Sequence, residues 1–228
     1  MGQARSSTSP QVILMGLDSA GKSTLLARLL TGQVMDTSPT IGFNVGTLDL
    51  DKKTSLTVWD VGGQKNMRPN WRYYIDECKA LVFVVDSSDP ARLPEAQKAL
   101  KKVLADEKLR GIPLMVLANK KDLPNSMTIR EVQRPALPTN NLTSSTADAN
   151  NDAQRNNPRL NELKEKIQQM EMLPPVLLTI LFPLSQISKQ LDLPSYTNRL
   201  WEIQACSALK GLGLQQAFMS VNKLIKKS

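Results

Sequence analysis

Gln11-Val12-Ile13-Leu14-Met15 runs straight into Gly16-Leu17-Asp18-Ser19-Ala20-Gly21-Lys22-Ser23, and the reading of that stretch decides the fold. The apolar run is strand-like. The turn after it is rich in small residues, and Ser23 to Leu30 has helical spacing. Strand, tight turn and helix open an α/β unit. The turn matches G-x-x-x-x-G-K-[ST] in the context that pattern requires. Its backbone N–H groups, with the helix N-terminus behind them, suit a phosphate chain. Lys22 is placed to reach the outer phosphates. The Ser23 hydroxyl is placed to bind Mg²⁺, and Thr24 follows on the helix. The loop alone implies a nucleoside triphosphate without choosing the base.

Outward from it, the pattern repeats. Leu48 to Asp60 holds two strand-like pieces about the polar turn Asp51-Lys52-Lys53, a hairpin. Ala80 to Asp86 and Pro113 to Asn119 are apolar runs that fit strands buried on both faces. Leu93 to Ala105 is helical in spacing, Leu200 to Cys206 is a last strand, and Leu214 to Ile225 is an amphipathic closing helix. Strands alternating with helices give an α/β, mostly parallel sheet with helices on both faces. Ligands sit at the carboxyl ends of such strands, and each motif below falls there, except the loop around Thr40.

Asn119-Lys120-Lys121-Asp122 ends one buried strand. A carboxylate at Asp122 can accept from the N1–H and 2-amino group of guanine; adenine lacks that donor pair and would leave the acid unpaired. Alone, N-K-x-D is a common surface sequence, and its position after a phosphate loop gives it weight. Cys206-Ser207-Ala208 follows the last strand, where a backbone N–H of Ser207 or Ala208 can donate to guanine O6. Asp60-Val61-Gly62-Gly63-Gln64 follows another strand. There Asp60 can hold Mg²⁺ through a water, the Gly63 N–H can meet the γ-phosphate, and Gln64 can orient the attacking water. Thr40, in Pro39-Thr40-Ile41-Gly42, is the candidate second protein ligand of Mg²⁺.

On these residues the chain resembles the small GTPases, and within them the Arf and Arf-like family. The matching segments are GLDSAGKST (Gly16 to Thr24), PTIGFNV (Pro39 to Val45), LTVWDVGGQ (Leu56 to Gln64), RPNWRYY (Arg68 to Tyr74), LVFVVDSSD (Leu81 to Asp89), LANKKDLP (Leu117 to Pro124) and CSALKGLGL (Cys206 to Leu214). The resemblance implies a P-loop small GTPase fold with a six-stranded sheet. It implies a switch between GTP and GDP forms that differ over Thr40 to Gln64, with Lys22, Thr40 and Gln64 in the hydrolysis. It also implies an exchange factor, a GTPase-activating protein, and effectors that touch Phe43, Trp59 and Tyr74, three aromatics for which core packing is the plainer account. Where the family often has NKQD this chain has Lys121, a position expected to face solvent. Typical members carry a longer apolar N-terminal helix; here residues 1–10 are mostly polar.

That tail begins Met1-Gly2-Gln3-Ala4-Arg5-Ser6, which fits the N-myristoylation pattern at Gly2. One myristoyl chain binds membranes only marginally, so Arg5 and the lysines Lys223, Lys226 and Lys227 are candidate second signals. The implied place is the cytoplasm, peripheral on endomembranes or vesicles. The formal charge of +8 also admits nucleic-acid binding, but no groove-reading motif is visible and aromatics are few, so no nucleic-acid partner is expected. The absence of histidine removes His-based catalysis and His ligation of zinc. Two cysteines do not make a disulfide framework, and no apolar run is long enough to span a bilayer. Two rival functions stay open: a GTP-binding interaction module without significant hydrolysis, and a non-switching product.

The second rival arises because one segment breaks the pattern. Residues 11–131 and 187–228 read as the GTPase domain. Val132 to Gln186 reads as an insertion, either disordered or a retained intron. Arg134 to Pro158 is rich in Asn, Thr, Ser, Ala and Pro. Without the segment, Thr128-Ile129-Arg130-Glu131 runs into Ile187-Ser188-Lys189-Gln190-Leu191 as one amphipathic helix. Val codons begin with GT and Gln can be CAG, which matches splice-site sequences.

Overall fold

The computed structural model describes residues 9–123 and 184–228. The expected insertion lies outside these residues except at its end, as do Gly2, Arg5 and the 128–131 half of the joined helix.

The described residues build one six-stranded sheet. Its strands are β1 (Gln11–Gly16), β2 (Phe43–Asp51), β3 (Thr54–Val61), β4 (Cys78–Asp86), β5 (Leu114–Asn119) and β6 (Trp201–Ala205), in the order β2-β3-β1-β4-β5-β6. All neighbours run parallel except β2 and β3, the hairpin about Lys52-Lys53. Chain order reverses direction at β1, and the crevice at its carboxyl end is where ligands bind in such sheets. β2 starts at Phe43, earlier than the sequence marks it. It is an edge strand whose Phe43, Asn44 and Val45 are exposed and whose fourth residue is Gly46, so hydrophobic alternation is missing where pairing to Val61 and Asp60 already holds.

The central strands place alternate side chains in two separate cores. Ile13, Met15, Leu81, Phe83, Val85, Leu114 and Val116 face helix α2 (Leu93–Leu104) and the helical residues 184–190, α3. Val12, Leu14, Val82, Val84, Met115 and Leu117 face α1 (Lys22–Thr31) and α4 (Leu214–Lys227). This two-sided burial explains why these strands lack polar alternation. Leu184, Ile187 and Leu191 are all buried in the first core at helical spacing, so the compact unit resumes at Leu184, ahead of the domain start read at Ile187.

Among the described residues no helix is long and apolar enough to cross a membrane. Burial pushes both thiols, Cys78 and Cys206, up to about 12, which keeps them protonated and inert.

Candidate functional site

The loop from Gly16 to Lys22 caps the end of β1. α1 starts from Gly21 with no side-chain cap and no acidic residue in its first turn, so its N-terminal N–H groups carry no competing anion. Gly21 lies in the left-handed region (φ 88°), and a Cβ there would strike the Asn119 amide. Lys22 is 6% exposed. Its ammonium donates to the carbonyls of Gly16 (3.1 Å) and Leu17 (2.9 Å), spanning the loop. Burial pulls it down to about 8, against the pull of Asp60 and Asp18.

Three oxygen-bearing side chains meet beside it. The Ser23 hydroxyl donates to Asp60 Oδ2 at 2.6 Å and shares a hydrogen bond with Thr40 Oγ1 at 2.7 Å. Asn44 Nδ2 donates to the same Asp60 oxygen at 3.1 Å. Asp60 is fully buried, and its Oδ1 has no hydrogen-bond partner among the described residues. A buried carboxylate with one oxygen unspent, beside two hydroxyls, is a donor set that fits Mg²⁺, which takes one or two carboxylates and completes its shell with phosphates and water. No group of three or more His, Cys, Asp or Glu that could hold a metal ion occurs among the described residues. Thr24 turns outward instead, sharing a hydrogen bond with Thr37 at 3.2 Å.

The segment after β3 lies against the loop. Asp18 N–H donates to the Gly63 carbonyl at 3.1 Å. A Cβ on Gly63 would run into Gly16, Leu17 and the Lys22 ammonium; only glycine permits this approach. Gly62 N–H donates to the Gly42 carbonyl at 3.0 Å, which ties the Thr40 loop to the same segment. Half-buried Gln64 precedes a 3₁₀ turn (Arg68–Tyr73), and its carbonyl accepts from Met67 N–H at 2.8 Å. Phe43 stacks on Trp59 (centroids 4.8 Å) and Tyr74 (5.6 Å). Trp59 and Tyr74 are partly buried against the core while Phe43 is 44% exposed, so the cluster is part core and part surface.

At the far end of the crevice, Asn119 is 1% exposed and serves three segments. Its Nδ2 donates to the Ala20 carbonyl at 2.9 Å, its Oδ1 accepts from Ala208 N–H at 2.9 Å, and its carbonyl accepts the Ser87 hydroxyl at 2.6 Å. The Ala208 N–H, read from sequence as a donor to guanine O6, is engaged here with Asn119. Ser207 Oγ donates to Asp122 Oδ1. Lys120, in the left-handed region (φ 65°), pairs with Asp86 at 2.6 Å. Lys121 does not face solvent freely. Its N–H donates to the Cys206 carbonyl at 3.2 Å, and burial lowers its ammonium below the ordinary lysine value.

Sequence reading missed Arg92 and Glu95, and noticed Arg68 only within a matching segment. Arg92 and Arg68 both pair with Asp18, from 74 and 50 residues away. No spacing rule connects positions so far apart.

A family model described as the ADP-ribosylation factor family matches residues 2–172. The match runs into the segment that the sequence reading set apart and stops before Cys206. Among solved structures, the chain is similar to the Arl6 BBS3 small GTPase of Trypanosoma brucei, determined with the nucleotide analogue GppNp. The two are 23% identical over 96% of this chain and 99% of that one, with a TM-score of 0.66, a likeness of fold.

Proposed function

The chain belongs to the ADP-ribosylation factor family, and on that premise we propose that this Arf-like small GTPase is a membrane-associated switch that binds GTP with Mg²⁺ and hydrolyses it slowly. The observation that carries the reading is the convergence of Ser23, Thr40 and Asp60 beside Lys22, with one Asp60 oxygen unspent. Mg²⁺, when bound through Ser23 and Thr40, neutralises charge on the outer phosphate oxygens. Lys22 and the N–H groups of the loop from Gly16 to Ser23 hold the phosphates in place. The Gly63 N–H donates to the γ-phosphate. Gln64 orients the attacking water. Asn119 and Lys120 frame the base, and Asp122 reads it as guanine by accepting from N1–H and the 2-amino group.

Unaided turnover is slow, on the order of 10⁻⁴ to 10⁻³ s⁻¹, and an arginine donated by an activating protein raises it by up to about 10⁵-fold. Neither arginine beside the loop supplies that group, because Arg68 and Arg92 are both paired with carboxylates. The Thr40 loop and the Gly62–Gln64 segment rearrange between the GTP and GDP forms, and the Phe43, Trp59 and Tyr74 cluster presents that state to effectors. A myristoyl chain on Gly2 brings the protein to endomembranes or vesicles.

The test is Gln64→Leu, assayed with an activating protein of the family. Stimulated hydrolysis falls by about 10²-fold or more, as when a group that acts only in the transition state is removed, while GTP affinity stays the same. A parental hydrolysis rate in that variant would remove Gln64 from the mechanism. For the anchor, Gly2→Ala shifts the protein from the membrane fraction to the soluble one; equal fractions would mean that something else holds it.

A further inference from the structure

Asp18 puts a carboxylate inside the loop assigned to the phosphates, and such a charge repels a polyanion unless something neutralises it. Its Oδ1 accepts from Arg92 Nη2 at 2.8 Å and from Arg68 Nη2 at 3.0 Å. Arg92 Nη1 also donates to the Asp18 carbonyl at 3.0 Å. Arg68 Nε donates to the Gly63 carbonyl at 2.8 Å, the oxygen that also accepts the Asp18 N–H. Glu95 closes the cluster, taking Arg68 Nη1 at 2.7 Å and Arg92 Nε at 3.3 Å. Two guanidiniums therefore balance two carboxylates. The cluster borders the phosphate machinery on two sides. Asp18 adjoins Gly63, and the Lys22 ammonium feels Asp18 and both arginines.

The two arginines differ in what carries them. Arg92 closes the short 3₁₀ turn Pro90–Arg92 that leads into α2, on the packed scaffold. Arg68 opens the 3₁₀ turn after Gln64, in the segment whose Gly63 lies against Gly16, Leu17 and the Lys22 ammonium.

We propose that Arg92, with Arg68, is a positioning residue for triphosphate recognition: the pair neutralises Asp18 and holds its carboxylate to the side of the phosphate loop, so that the loop accepts a third phosphate. The proposal rests on the phosphate-loop reading above. An uncompensated Asp18 lies next to Gly63, so its repulsion falls more heavily on a triphosphate than on a diphosphate. Arg92 supplies standing neutralisation from the scaffold, and Arg68 adds to it while linking Asp18 to the Gly63 carbonyl.

The experiment uses the full chain and measures dissociation constants for GDP and for GppNp in one Mg²⁺ buffer. The variants are Arg92→Ala, Asp18→Asn and the double Asp18→Asn/Arg92→Ala. Arg92→Ala raises the ratio of the GppNp constant to the GDP constant about tenfold, equivalent to about 1.4 kcal/mol. The double variant returns the ratio to within about twofold of the parent, because no carboxylate is left to neutralise; recovery of that kind is the signature of direct coupling. Loss of packing alone does not give this rescue. If Arg92→Ala loses its melting transition, Arg92→Gln and Arg68→Ala are read in the same way. An unmoved ratio in the folded arginine variants, or a double variant as impaired as Arg92→Ala alone, overturns the proposal. A parent that fails to bind GDP overturns the phosphate-loop reading and this proposal with it; tight GDP binding with an unmoved ratio overturns this proposal alone.

Discussion

The two ends of the crevice are built differently. At the base end, polar side chains brace neighbouring segments: Asn119 joins the Ala20 carbonyl to the Ala208 N–H, and Ser207 joins Asp122 to Lys210 N–H. These groups sit at or just after the ends of β5, which is packed on both faces, and β6, whose Trp201, Ile203 and Ala205 pack against the first core. At the phosphate end, the contacts join a helix, a strand and a loop: Ser23 on α1, Asp60 on β3 and Thr40 before β2. Ser23, Thr40 and Asp60 come from three separate segments, the Asp60 carboxylate is only half satisfied, and Ile41 beside Thr40 is 87% exposed. On the proposed reading, a corner braced in this way can read the same base whatever the rest of the molecule does. On that reading, a junction that includes the Thr40 loop can report how many phosphates are present, because its contacts exist only when that loop meets α1 and β3. On the proposed reading, identity of the base and state of the switch are thus read by different kinds of structure.

The contrast makes quantitative expectations, and they descend in size. Lys22→Ala strikes the phosphate end hardest. Truncating the buried cation costs about 2–5 kcal/mol, so guanine-nucleotide affinity drops by roughly 30- to 4,000-fold, measured by titration with a fluorescent nucleotide. GTP affinity within about threefold of the parent would remove Lys22 from the site. Asp122→Asn comes next. Losing the charged acceptor costs about 1.5–3 kcal/mol, and guanine affinity falls roughly 10- to 100-fold while xanthine nucleotides gain, since the new amide donates to the extra carbonyl. Competition between GDP and XDP reads this directly, and unchanged selectivity defeats the base-reading role. Ser207→Ala is the mildest. It removes one donor to Asp122, for about 1 kcal/mol. Affinity falls about fivefold for GDP and GTP alike, and the melting temperature falls by about 2–4 °C. If Ser207→Ala instead changed the ratio of the two affinities, the separation of the two ends would be wrong.

The sequence made most of the frame legible because the central strands are buried on both faces. Runs such as Leu81 to Val85 have no other economical reading, and the phosphate loop is local, with Gly16 through Ser23 contiguous. What stayed hidden depends on residues distant in the chain. Nothing near Asp18 announces Arg68, Arg92 or Glu95. The start of β2 was missed because Phe43 to Val45 is exposed at a sheet edge, where backbone pairing forms the strand without help from hydrophobic pattern. Lys121 is expected in solvent because it stands where the family often has the glutamine of NKQD, yet its N–H pairs with the Cys206 carbonyl and the residue is partly buried. The Ala208 N–H was read as available to a ligand; whether an N–H already has an acceptor is a matter of tertiary geometry.

Leu184 has a consequence for the chain's history. It sits three residues before Ile187 and is buried in the first core. If Glu131 is joined to Ile187, the residue at that same place is Ile129. Either chain therefore delivers a branched aliphatic side chain to one helical position, and the two differ there only by the small cost of an isoleucine-for-leucine exchange. Folding stability at this site gives quality control almost nothing with which to tell a longer translation product from a shorter one.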